Sequence, residues 1–160
     1  MIQHLPTRSN LQSLFSMASV SDTYRVRLAK DLFATGPRIA RALQDDAVEQ
    51  TAQIATFYVN MMPRSDQGWL KLLRIPAGRT VCTAWAATGE ELAARVPGTP
   101  AERQFPGAAQ ALAQSLLRAD VTFYSVTLVE PGMSSGTRFH LVFWDGSKWC
   151  MLGPAWRAVS

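Results

Sequence analysis

His140 is the residue with which a search for chemistry in this chain starts. It lies in the run Arg138-Phe139-His140-Leu141-Val142-Phe143-Trp144. Histidine is the side chain best matched to proton transfer near neutral pH, which makes it the candidate general acid or base. Tyr124, in the apolar run before it, and Arg138, two positions upstream, are the groups that could stabilise charge beside it. That pairing depends on strand register bringing them to one face. Trp144, Trp156 and Arg157 are the candidates for a ligand or interface contact, because tryptophan and arginine dominate binding hot spots. Each candidate has a plain structural alternative: a histidine hydrogen-bonded at a sheet surface, tryptophans filling a core, and Trp156 anchoring the tail.

Other chemistries lack their residues. The only histidines are His4 and His140 and the only cysteines Cys82 and Cys150, with no C-x-x-C and no H-x-x-x-H spacing, so no metal site is expected. A Cys82–Cys150 disulfide would need neighbouring strands and an oxidising compartment. There is no G-x-S-x-G, and Ser134-Ser135 belong to a turn. Without G-x-G-x-x-G or a P-loop, no nucleotide cofactor is expected. The acidic residues Asp45, Asp46 and Glu49 read as a solvated helix face. The formal net charge is +4, but the basic residues are scattered without a block, which argues against a nucleic-acid partner. Near the N-terminus, Asn10, Gln12, Ser13 and Ser16 interrupt the apolar residues, so no secretory h-region forms. No apolar run is long enough to span a membrane, and a soluble, cytoplasmic protein is the expectation.

The elements that must position these residues read as one domain over 1–160, with residues 1–9 as loop. Ser9 is the expected cap of a short helix over Leu11–Met17, followed by a helix over Asp22–Thr35. Gly36-Pro37 stops that helix and starts a long one running to Met62. Arg79–Ala86 reads as a strand, and Thr88 with Glu91 has capping-box spacing ahead of a helix over Glu90–Val96. Pro106 opens a further helix over Gly107–Arg118. Asp120–Arg157 is then a three-stranded antiparallel meander, its last hairpin turned by Asp145-Gly146. Alternation puts Phe139, Leu141 and Phe143 on one face of the middle strand and Arg138, His140, Val142 and Trp144 on the other, amphipathic face. The fold class is therefore α+β, with N-terminal helices packed on a curved antiparallel sheet that ends in the meander.

This order of elements, closing on Asp145-Gly146-Ser147-Lys148-Trp149, resembles the cone-shaped, cystatin-like α+β domains of nuclear transport factor two and ketosteroid isomerase. Many members of that superfamily show a similar Asp-Gly-x-x-Trp ending. The resemblance implies a sheet curled around its helices with a cavity between them, used for catalysis in some relatives and for small-molecule binding in others. It also implies that the exposed sheet serves for dimerisation. Ketosteroid isomerase needs an aspartate base and an acidic oxyanion partner in an apolar pocket, and no residue here matches those positions, so no catalytic role carries over. The tail Gly153–Arg157 has no counterpart in that layout.

The resulting expectation is a non-enzymatic α+β module with a pocket for a small apolar ligand, a homodimer face on the sheet, or both. One alternative is a small pocket enzyme of isomerase or lyase type using His140 with Tyr124 and Arg138. The other is an accessory protein that binds a partner through the Trp-rich meander.

Overall fold

The computed structural model describes residues 7–159. Five helices come first: α1 (Arg8–Val20), α2 (Asp22–Leu32), α3 (Gly36–Ala40), α4 (Val48–Met61) and α5 (Asp66–Leu72). Strand β1 (Val81–Thr88) leads into α6 (Gly89–Ala94), α7 (Pro100–Arg103) and α8 (Gly107–Ser115). The meander follows as β2 (Thr122–Val129), β3 (Gly136–Trp144) and β4 (Trp149–Met151), and a 3-10 turn spans Ala155–Arg157. The strands pair antiparallel in the order β1-β2-β3-β4, giving an α+β fold with its helices largely N-terminal.

The sheet carries a hydrophobic core on each face. On one face Phe123, Leu141, Phe143 and Cys150 meet Ile54, Tyr58, Leu92, Leu112 and Leu117. On the other, Val126, Leu128, Val142 and Trp149 meet Leu11, Phe15, Leu28, Leu32 and Leu73. A sheet with helices on both faces needs strands apolar on both sides. β2 meets that demand: Phe123 points one way, Val126 and Leu128 the other, and all three are fully buried.

The long helix expected from Pro37 to Met62 is broken over Arg41–Ala47. Tertiary pairing outcompetes helix propensity there. Leu43 bridges to Leu117, the Gln44 amide donates to the Leu116 carbonyl, and the Arg118 amide donates to the Ala42 carbonyl. The same pairing ends α8 at Ser115 rather than Arg118. It also places Asp45 in a loop, ion-paired to Arg118, instead of on a helix face. The first helix starts at Arg8, with Thr7 rather than Ser9 as its cap, so Arg8 and Ser9 are helix and not loop; residues 1–6, expected as loop, lie outside the described residues.

The capping box forms as read: the Thr88 hydroxyl accepts from the Glu91 amide at 3.1 Å, and the Glu91 carboxylate accepts from the Thr88 amide at 2.9 Å. Gly89 is required at the first helical position because a Cβ there would overlap the Arg118 carbonyl. Cys82 and Cys150 are unpaired thiols. Two strands separate β1 from β4, and the two side chains belong to opposite cores, so no disulfide can join them. Among the described residues, no helix is long and apolar enough to cross a membrane.

Candidate functional site

One irregularity in the β2–β3 ladder decides where the candidate residues lie. Tyr124 pairs with Val142 and Val126 with Phe139, so the single residue Ser125 faces both His140 and Leu141. This is a β-bulge, and Leu141 takes a left-handed backbone with φ +56° to make it. Past a bulge the alternation changes phase. Phe139 therefore joins the α1 side, stacking 5.4 Å from Phe15, while Leu141 and Phe143 enter the opposite core. The face expected to hold Phe139, Leu141 and Phe143 together is split. The expected amphipathic face is split too: Val142 and Trp144 pack on the α1–α2 side, whereas His140 packs on Trp156 of the other core.

His140 is half-buried, its ring centroid 6.1 Å from that of Trp156, and its Nδ1 is buried without a hydrogen-bond partner. Burial first, and the Arg138 charge second, lower its pKa to about 4. It is neutral at physiological pH. Arg138 is engaged by Thr127, whose hydroxyl accepts from Nε at 3.1 Å, and by the carbonyl and side chain of Gln104 at 3.4 Å. Ser125, across the bulge, is fully buried with an unpartnered hydroxyl. Arg138 shares the His140 side of the sheet, but Tyr124 packs on the opposite face, so of the groups read from the sequence only Arg138 stays beside the histidine. Trp156 is half-buried against the α4–α8 core and Arg157 is exposed.

Trp144 has different company. It pairs across the last hairpin with Trp149, ring centroids 5.5 Å apart and nearly perpendicular, and Tyr124 meets Trp149 edge-on at 5.4 Å. Edge-to-face contacts of this kind are the favourable geometry for aromatic rings. A surface hollow of about 290 Å³ opens on this trio, completed by Asp120, Val121 and Thr122. A second, of about 120 Å³, lies beyond the two tryptophans against Leu14, Tyr24, Arg27, Leu28, Asp31 and Lys148. Burial raises the Tyr124 pKa, with the Arg8 charge acting the other way, so its phenol is a neutral donor and acceptor.

The hairpin bearing these tryptophans is held from outside the sheet. Asp145 Oδ1 accepts from the Ser147 and Lys148 amides, both at 2.9 Å, closing the turn. Arg38 donates to Asp145 Oδ2 and to the Trp149 carbonyl at 2.6 Å each, and to the Asp31 and Phe33 carbonyls. The Trp149 indole donates to Asn10 on α1 at 3.0 Å. Trp149 was absent from the sequence candidates, although the short Asp145-Gly146 turn is a signal that would pair it with Trp144. Arg38 has no such signal.

Fold and hollow together define an α+β domain in which a four-stranded antiparallel sheet, sandwiched by helices, presents an aromatic hollow beside its last hairpin. No family model matches this sequence, and the comparisons with curated proteins and with solved structures return no match.

Proposed function

We propose that this protein is a non-enzymatic binding module whose ligand seat is the hollow at Trp144, Trp149 and Tyr124. The observation that carries this reading is the edge-to-face trio opening on a recess of about 290 Å³ with half-buried Trp144 at its mouth. A recess at the small end of the usual pocket range suits a ligand below drug size. Its aromatic walls suit a flat ring, and because polar groups, Asp120 and Thr122 among them, make up as much of the lining as apolar ones, that ring should carry polar edges. Rigidity supports the same reading, since the hairpin is clamped by Arg38 and by its own Asp145 turn.

Titration with aromatic and heteroaromatic fragments, followed by the indole N–H resonances of the five tryptophans, tests the reading. Saturable shifts confined to Trp144 and Trp149, abolished by Trp144→Ala and kept in Trp156→Ala, are expected. Shifts centred on Trp156 and His140 would move the seat to the opposite face and reject it; so would no saturable shift at millimolar fragment.

A further inference from the structure

Trp144 and Trp149 each line two hollows. One is the recess of about 290 Å³ that forms the proposed seat, and the other is the neighbouring recess of about 120 Å³. What divides the two is therefore the tryptophan pair itself, with Trp144 the more exposed of the rings. Charge is distributed unevenly between them. Among the described residues, Asp120 is the one charged side chain lining the larger hollow, whereas Arg27, Asp31 and Lys148 line the smaller.

The smaller hollow has an apolar interior and a charged rim. Leu14 and Leu28 give it aliphatic walls and Tyr24 an aromatic one, while Arg27, Asp31 and Lys148 are exposed. None of these three side chains forms an ion pair among the described residues, and Arg27 is held over the Tyr24 ring at 5.9 Å. Two cations against one carboxylate leave the rim net positive. We infer that the two hollows are one bipartite site, whose ligand is a flat, polar-edged ring bearing a short aliphatic arm that ends in a carboxylate.

The inference rests on the reading of the larger hollow as the ligand seat and extends it to the other half of the ligand. Size sets the division. At the ~30 Å³ share of a water molecule, the smaller hollow has room for about four heavy-atom groups, a chain and not a second ring system. Methylenes placed against Leu14 and Leu28 leave water for an apolar wall. At the rim the carboxylate meets the Arg27 fork, whose planar N–H donors match it, with the Lys148 ammonium as a second positive charge. At the other end a ring N–H donates to Asp120. The polarity fixes direction, because an acid on the ring itself would face the Asp120 carboxylate. Arg27 and Lys148 are exposed, so their attraction is modest and screened by salt.

Three probes separate the parts: benzimidazole, its propyl derivative and its propionate, both substituted at the carbon between the ring nitrogens. Each is titrated into the isotope-labelled full chain near neutral pH at low salt, with indole N–H and leucine methyl resonances followed. Indole shifts at Trp144 and Trp149 are expected from all three, and Leu14 and Leu28 methyl shifts from the two arm-bearing compounds alone. The propionate should bind about tenfold more tightly than benzimidazole, with the propyl compound between them. Arg27→Gln and Lys148→Gln should each weaken the propionate about threefold and leave benzimidazole unchanged. Thermal melts confirm that both variants fold. A propionate no tighter than benzimidazole, with benzimidazole still at Trp144 and Trp149, overturns the inference and leaves the seat standing. Equal affinity of the propyl and propionate compounds, or a propionate indifferent to both substitutions, overturns the anionic arm. Failure of benzimidazole and propionate alike to shift either indole rejects the seat and the inference with it.

Discussion

Arg38 and Asp145 are 107 positions apart in sequence, and Arg38 Nε lies 2.6 Å from Asp145 Oδ2 with both side chains largely out of solvent, at 14% and 6% exposed. The contact fastens the turn that carries Trp144 and Trp149 to the junction between α2 and α3. It is the one buried ion pair among the described residues, and Arg38 also satisfies three backbone carbonyls that nothing else on that side reaches.

Removing one partner of such a pair strands the other in a poorly solvated site. Arg38→Ala is therefore expected to lower unfolding free energy by about 3–5 kcal/mol in urea denaturation. Arg38→Lys should recover less than half of it, because an ammonium on a flexible stem cannot reproduce the planar donor fork. Full recovery by lysine would reduce the contact to a simple point charge.

Acid stability should fall in two windows. Burial alone would raise the Asp145 carboxyl, but the Lys148 and Ser147 amides and Arg38 outweigh it and bring it from 3.8 down to about 2. A depressed carboxylate stabilises the fold above its unfolded value, and that contribution, no more than about 2 kcal/mol, is lost between pH 4 and 2. His140 acts earlier. Its folded value of about 4 lies below the ordinary 6.5, so the unfolded chain takes up its proton first, and stability declines as pH falls from 6.5 to 4. Asp145→Asn should flatten the lower window and His140→Asn the upper one in unfolding curves taken by pH. A His140 ring resonance titrating near 6.5 in the folded protein would contradict its burial.

The two hairpin tryptophans should separate in their roles. Trp149 is 4% exposed and packs with both Tyr124 and Trp144, so Trp149→Ala is expected to cost about 3–5 kcal/mol. Trp144 is half-buried, and Trp144→Ala should cost clearly less while abolishing fragment binding. Thermal melts beside the indole titration check both. Equal destabilisation would mean that Trp144 is core rather than seat.

Gly89 tests the junction between β1 and α6. A Cβ there meets the Arg118 backbone, which cannot rotate away as a side chain would. Gly89→Ala should reach the upper end of the ~1–3 kcal/mol range for overpacking, although alanine is the better helix former. Gly107→Ala, at a helix position with open space around it, is the control and should be neutral or slightly stabilising.

Local chemistry in the sequence determined a good deal. The Thr88–Glu91 capping box and the Asp145-Gly146 turn each rest on residues within a few positions of one another, and each forms as its local pattern dictates. From these the α+β class and the terminal meander follow. What only tertiary structure decided involves partners far along the chain. Leu43 leaves a helical pattern because Leu117 offers a ladder partner, and Arg38 finds Asp145 through no pattern at all. Above all, the bulge opposite Ser125 reassigns the faces of β3, so His140 joins Trp156 while Trp144 joins Tyr124 and Trp149. A one-residue slip moves every later side chain to the other face, and nothing local to β3 marks where that slip falls, since Leu141 is an ordinary strand residue that takes a left-handed backbone at a fully buried position.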